Sequence, residues 1–174
     1  MRFLLLSCCA PCSCAVIKTL SEADEDFAVL FYNPNIRPLS EYERRRDENK
    51  RVCDAFNVPF IELDYNPCVW DEATKGLSNE PERGRRCDIC FYLRLKKAAE
   101  YAKENGYTSF SSVLGISRYK DFDQVCRAGQ RASDDVGIAY DMTNWRKNGG
   151  EQLRQAVETE FNMYRQRYCG CKPR

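Results

Sequence analysis

The sequence predicts a single three-layer α/β domain built on a mainly parallel sheet. Three observations lead to it. Short apolar runs alternate with longer stretches of helical spacing, an order that favours right-handed βαβ crossovers and helices on both faces of a sheet. The chain has 174 residues, enough to bury one core, so residues 1–174 are read as one domain. Turn residues stand at the junctions between the runs.

In chain order, the strand candidates are Arg2 to Ser7, Phe27 to Asn33, Pro59 to Tyr65, Thr108 to Ile116 and Gly137 to Asp141. Helical spacing or composition marks Cys12 to Leu20, Ser40 to Phe56, Cys87 to Glu104, Lys120 to Ala132 and Gly150 to Tyr168. Asn33-Pro34-Asn35 stops the second strand, Ser40 is placed to cap the helix after it, and Asn105-Gly106 ends another helix. Pro67 to Pro81, with Gly76 and Ser78 inside it, reads as a long loop of the kind that serves as a lid or binding element.

Lys and Arg number 27 against 26 Asp and Glu, so the summed field does not attract a polyanion from a distance. Contact with nucleic acid must then come from local clusters. The candidates are Arg44, Arg45, Arg46, Lys50 and Arg51; Arg83, Arg85 and Arg86; and Arg165, Arg167, Lys172 and Arg174. Each equally suits the solvated face of a charged helix.

Eleven cysteines and no histidine are the anomaly. Disulfide scaffolds belong mostly to short secreted chains without a core. Phe3 to Leu6 is too short for the apolar region of a signal peptide, and no run approaches the roughly 20 apolar residues that span a bilayer. A cytosolic protein without membrane contact is expected, in which clustered thiols bind metal or carry out redox work.

Three cysteine motifs stand out. Cys8-Cys9-Ala10-Pro11-Cys12-Ser13-Cys14 lies where the first strand gives way to the first helix, the edge at which open α/β sheets bind ligands. Cys87-Asp88-Ile89-Cys90 opens a long helix, whose N-terminus is expected to favour thiolate. Alone, that spacing fits half of a zinc site, a dithiol redox motif or cluster ligands. Its place after the third strand would bring it to the edge that carries Cys8 and Cys9. Cys169-Gly170-Cys171 near the C-terminus fits ligation, dithiol–disulfide cycling or a mobile tail. Cys53, Cys68 and Cys126 read as packing residues. Sulfur-only ligation suits zinc or an iron–sulfur cluster, and surplus thiols beside four ligands favour the cluster.

The strings LLLSCCAPCS (4–13), FYNPNIRPLSEYERR (31–45), EPERGRRCDICFYLRL (80–95), GISRYKDFDQV (115–125) and QRYCGC (166–171) together resemble the QueH family of epoxyqueuosine reductases over nearly the whole chain. The resemblance implies a fold similar to the nucleotide α-hydrolase or ATP-pyrophosphatase type. It also implies a cobalamin-independent oxidoreductase that converts the epoxide of epoxyqueuosine in tRNA to the cyclopentene of queuosine, the last step of queuosine synthesis. The implied cofactor is a 4Fe-4S cluster on Cys8, Cys9, Cys87 and Cys90, with an adjacent mononuclear iron or zinc. Cys12, Cys169 and Cys171 are then redox or second-metal residues. Cysteines and Pro11 stand where pyrophosphatase-like enzymes have a glycine-rich phosphate loop, so ATP is not expected. The chain departs from the family pattern at Leu6, Arg37, Arg118 and Asn66.

Epoxide reduction to an alkene takes two electrons and two protons and releases water. Asp64 and Tyr65, ending the third strand, are the expected proton donors, with Cys12 also a catalytic candidate. Tyr32, Asn33, Asn35, Tyr42 and Arg45 after the second strand, and Tyr119 and Lys120 after the fourth, are expected to stack on and hydrogen-bond an anticodon loop. An electron donor of unassigned identity is required. Two other readings stay open: a thiol–disulfide oxidoreductase using Cys87, Cys90 and the terminal pair with an exchangeable disulfide bond, and a zinc-stabilised tRNA-binding module.

Overall fold

The computed structural model describes residues 2–171; Lys172 and Arg174 of the third basic cluster lie outside them. Five strands, β1 (Phe3–Ser7), β2 (Phe27–Phe31), β3 (Phe60–Glu62), β4 (Ser109–Ser112) and β5 (Ala139–Tyr140), form one sheet in the order β3-β2-β1-β4-β5. Every pairing is parallel. The helices are α1 (Ala10–Glu22), α2 (Leu39–Ala55), α3 (Pro67–Ala73), α4 (Arg85–Glu104), α5 (Phe122–Val136) and α6 (Gly150–Glu160).

The two central strands are apolar runs because both faces of the sheet are covered. All of β2 and all but the first residue of β1 are buried. The chain winds outward from β1 through β2 to β3, then returns to lay β4 on the other side of β1. The winding reverses between β1 and β4, and a crevice opens there at the carboxyl ends of the strands. Ser7 leads the chain from β1 straight into Cys8 and Cys9 at that crevice.

Several elements are shorter than the sequence predicts. β2 stops at Phe31, and β4 gives way after Ser112 to a 3-10 turn at Leu114–Ile116. Pro67 to Pro81 is not all loop, for its first half is α3. Asn66 Oδ1 caps that helix by accepting from the Cys68 N–H at 3.1 Å, and Pro67 takes the first-turn position where a missing N–H costs nothing. Ser40 does not cap α2; Pro38 holds the cap position and the helix begins at Leu39. α6 ends at Glu160 rather than Tyr168, beside Asn162 in the left-handed region (φ 46°). The remaining residues run back across the molecule as a strap. Asn105 and Gly106 (φ 74°) end α4 as expected.

On α5, Gly129 lies against β5. A Cβ added there would sit 2.1 Å from Cε1 of Tyr140. Alanine is the better helix former by about 1 kcal/mol, but the overlap outweighs it. Gly129→Ala is expected to cost about 1–3 kcal/mol net, read as a lower urea midpoint with an unchanged m-value.

Candidate metal and redox centre

Cys9 occupies the N-cap position of α1 with extended backbone, and its carbonyl accepts from the N–H groups of Cys12 and Ser13, both at 3.2 Å. Buried polar side chains clamp this turn. Asn33 Nδ2 donates to the Ser7 carbonyl at 2.9 Å, Asn49 Nδ2 donates to Ser7 Oγ, and Ser13 Oγ donates to the Cys9 carbonyl at 3.1 Å. The turn therefore presents its thiols in one direction. The sulfurs of Cys8, Cys9 and Cys12 all lie within 4.8 Å of one another, and those of Cys8 and Cys9 are 3.7 Å apart.

Cys87 and Cys90 sit in the first turns of α4, behind a Gly84 cap. The strap brings the third pair. Arg45, buried on α2, donates from Nη1 to the Cys169 carbonyl (3.0 Å) and from Nη2 to the Tyr168 carbonyl (2.9 Å), while Glu41 accepts from its Nε at 2.7 Å. The Arg37 N–H donates to the Gly170 carbonyl at 2.9 Å. Gly170 has φ 119°, and a Cβ there would meet Ile36 Cγ1 at 2.9 Å, so the residue between these two cysteines must be glycine.

The seven thiols interact as one group. Cys169 is hydrogen-bonded to Cys171 and feels the charge of Cys8; Cys87 feels Cys169 and Cys90. Hydrogen bonds from Cys12 and Cys9, aided by Lys120 and Arg94, hold the Cys8 thiol well below its ordinary pKa. The Cys171 hydrogen bond does the same for Cys169, again with Lys120 and Arg94. Their partners move the other way. The Cys12 hydrogen bond favours a Cys9 thiolate, but Cys8 and burial outweigh it and leave Cys9 pushed up to about 12. Hydrogen bonds to Cys8 and Cys9 raise Cys12, and the bond to Cys169 raises Cys171. Burial pushes Cys87 up and Cys169 and Cys90 add to it, against a backbone hydrogen bond at the helix N-terminus that lowers it. Burial opposes the charge on Lys120, but Cys169 and Cys8 outweigh it and raise its pKa.

A cavity of ≈ 1400 Å³ opens above the thiols, with Cys8, Cys12, Cys87, Cys169 and Cys171 in its wall. Arg83, Arg86, Arg118, Lys120, Arg146, Arg154, Arg165 and Arg167 surround it, against Glu80, Glu82, Glu151 and Glu158. The second basic cluster thus contributes Arg83 and Arg86 to the cavity, and the third Arg165 and Arg167. Of the first, only Arg45 reaches the cavity wall; Arg46 pairs with Asp47, Lys50 with Asp54 and Arg51 with Glu48. Arg146 and Arg154 were not among the basic clusters read from the sequence, and Arg118 was noted there only as a departure from the family pattern.

The expected substrate residues divide. Arg45 and Lys120 line the cavity, but all the donors of Arg45 hold the strap and Glu41. Tyr32, Asn33, Asn35 and Tyr42 are buried, and Asn33 clamps the β1 turn. Asp64 is exposed, and neither it nor Tyr65 belongs to the cavity wall; the Tyr65 hydroxyl donates to the Ile36 carbonyl at 2.7 Å and its ring packs on Tyr42. β3 is an edge strand, two places from the β1–β4 crevice, and Tyr65 reaches the strap only through Ile36, which packs on Gly170. All eleven cysteines are free thiols, so the expected disulfide is absent. Gln166 donates to Cys9 Sγ at 2.8 Å, and Arg94 lies buried behind the cluster. Sequence reasoning missed both, although Arg94 stands at positions i+4 and i+7 from the α4 cysteines.

These shifts predict a reactivity order in metal-free protein. A thiol with a lowered pKa is ionised at lower pH, so Cys8 and Cys169 should alkylate at pH 6 through the cavity. Cys14, pushed up to about 11 by burial, and Cys53, pushed up to about 12, should stay unmodified below pH 9. Peptide mapping by mass spectrometry after brief iodoacetamide treatment reads this directly.

A search of solved structures finds the same fold in a predicted subunit of tRNA methyltransferase from Methanocaldococcus jannaschii, with a TM-score of 0.62 at 12% identity, covering 91% of this chain and 74% of that one. Curated relatives named epoxyqueuosine reductase QueH are far nearer in sequence. Those from Acinetobacter baylyi and Histophilus somni are 47% and 46% identical over 98% of this chain, covering 78% and 70% of their own lengths. The one from Haemophilus influenzae is 47% identical over 98% of this chain and 70% of its own. The family model described as epoxyqueuosine reductase QueH matches residues 3–172, and the chain belongs to that family.

Proposed function

We propose that the chain reduces the epoxide of epoxyqueuosine in tRNA to the cyclopentene of queuosine, using a 4Fe-4S cluster and no cobalamin. One observation carries this reading. A surplus of reduced thiols converges at the floor of a wide, arginine-lined cavity at the switch point of the sheet. The donors are all sulfur, which fits zinc or iron–sulfur ligation. A closed structural zinc site has no use for seven thiols or for an open cavity above them.

In this reading Cys8, Cys9, Cys87 and Cys90 hold the cluster. Cys12, whose sulfur lies within 4.8 Å of those of Cys8 and Cys9, would be a donor to an adjacent iron or zinc, and Cys169 and Cys171 would join it there or act as a redox pair. A cluster held there supplies electrons one at a time and an iron that accepts an oxygen ligand. The chain supplies the rest. Where Cys12 is not a ligand, its protonated thiol in the cavity wall would serve as a proton donor; Asp64 and Tyr65 do not line that wall. Lys120, facing Cys8 and Cys169 across the Phe91 ring, balances negative charge on the cavity floor.

The tRNA would meet the rim. Tyr119 is 62% exposed, with the Arg118 guanidinium 5.0 Å from its ring centre, and offers a stacking face for an unstacked base. Arg146 and Arg167 are exposed beside it and suit phosphates. Free thiols throughout suit a reducing cytosol, and no helix among the described residues is long and apolar enough to cross a membrane.

Protein purified without oxygen is expected to carry about four irons and four sulfides, lost in Cys87→Ser together with turnover of epoxyqueuosine-tRNA. Colourless protein with stoichiometric zinc would favour the binding-module reading. Dithiol turnover without iron would favour the thiol–disulfide oxidoreductase.

Affinity for the tRNA should fall with salt. Arg146→Ala and Arg167→Ala should each shallow the log K against log salt slope by about 0.7, the value for one single-strand phosphate contact. A slope that neither variant changes would remove these residues from the interface.

A further inference from the structure

Arg94 is 1% exposed, on the face of α4 that also carries Cys90. Its Nε donates to the Tyr32 carbonyl at 3.3 Å and its Nη2 donates to Asn33 Oδ1. Both acceptors are neutral. Among the described residues no carboxylate lies within ion-pair distance of it. Of the two other buried guanidiniums at the centre, Arg45 is paired with Glu41 and Arg86 donates to the Ser78 carbonyl at 3.0 Å beside the open cavity. A buried guanidinium facing neutral carbonyls alone is a heavy burden for a domain of ordinary marginal stability. The anions its charge reaches are sulfur: it acts on Cys8 and on Cys169. Lys120, the other cation acting on the same thiols, is half-buried and lines the cavity, whereas Arg94 is sealed from water and does not.

Resting on the cluster reading above, we propose that Arg94 is the buried counter-charge of the thiolate-held group, a positioning residue that favours both its retention and its reduction. Four thiolates around an iron–sulfide core carry net negative charge, and an added electron increases it. A fixed cation behind the core stabilises the loaded form over the empty one, and the reduced form over the oxidised one. The guanidinium is suited to this place because it does not lose its proton at any working pH. Through Nη2 it also orients Asn33, whose amide in turn holds the Ser7 carbonyl at the turn that presents Cys8 and Cys9.

The test compares wild type, Arg94→Gln, which loses the charge but keeps an amide donor, and Arg94→Lys, which keeps the charge but loses the planar fork. Each is reconstituted anaerobically with iron and sulfide. Three readouts are taken besides turnover: the rise in Tm on loading, the rate of iron loss to a chelator, and the midpoint potential by spectroelectrochemistry. In Arg94→Gln the rise in Tm should be smaller than in wild type, iron loss about tenfold faster or more, and the potential more negative. Arg94→Lys should stay near wild type in all three. Equal loading gains and equal potentials in Arg94→Gln and wild type would overturn the proposal and leave Arg94 a hydrogen-bonding residue. If Arg94→Gln does not fold without the cluster, Arg94→Lys decides: a wild-type potential supports the proposal, and one that shifts at full iron content overturns it. Wild type that takes up no iron would remove the cluster reading itself and this inference with it, an outcome distinct from a loaded wild type whose gains Arg94→Gln shares.

Discussion

The centre depends on a polar clamp around one turn. Ser7, Ser13, Asn33 and Asn49 are all buried, and each places a hydrogen bond on the chain between the end of β1 and the start of α1. Buried polar groups are tolerated when they satisfy one another, and a satisfied network in low dielectric is stiff. Here the stiffness is spent on a short stretch in which Cys8, Cys9 and Cys12 must point the same way. Helix geometry alone would not achieve this, because Cys8 and Cys9 precede the first turn of α1. Asn33 and Asn49 come from different parts of the chain, after β2 and on α2, so the turn is set only when those elements are docked. Folding of the sheet and shaping of the thiol site are thus one event.

The strap completes the centre by a different principle. After α6 it has no regular structure of its own and is held by α2 and the segment before it: the fork of Arg45, the Glu41 carboxylate that accepts from Tyr164 at 3.0 Å, and the Arg37 N–H. A charge-assisted bidentate contact of this kind gives direction as well as affinity. It sets Cys169 and Cys171 against thiols from both other motifs while leaving their side chains open to the cavity. The arginine expected to meet substrate lines the cavity while its donors hold the strap.

Much of this was legible in the sequence. The alternation of apolar and helical stretches gave the parallel sheet, and the place of CCAPC after the first strand gave the crevice, because both follow from local pattern and from the chirality of the crossover. Strand ends were overestimated, since Tyr32 and Asn33 are as buried as the strand they follow and periodicity does not distinguish them from it. α3 was missed because Asn66-Pro67 signals a helix start and a turn with equal strength. Asp64 and Tyr65 were read as proton donors from their place at the end of the third strand, and neither lines the cavity. The order β3-β2-β1-β4-β5 puts β3 at the rim, a fact carried by long-range pairing and not by spacing. Arg94 was invisible for the opposite reason: in the string it is one more arginine of a charged helix, and only its packing removes it from water.

The number of thiols at the site, and not its charge balance, favours the redox reading. A zinc ion on four thiolates and a cluster on four thiolates are both anionic, so buried cations alone do not separate them. What separates them is the number of thiols left over and their access. Beyond any four ligands, three further sulfurs remain within the same interacting group, and five of the seven line the cavity wall. Uncommitted thiols beside a metal site are a liability to oxidation unless they take part in electron transfer or hold a second metal. This fold clusters them and opens them to a wide basic cavity, so that the liability falls at the one place where the proposed substrate would meet them. The same basic rim that would guide the nucleic acid therefore leads it to the thiols and to no other chemistry in the chain.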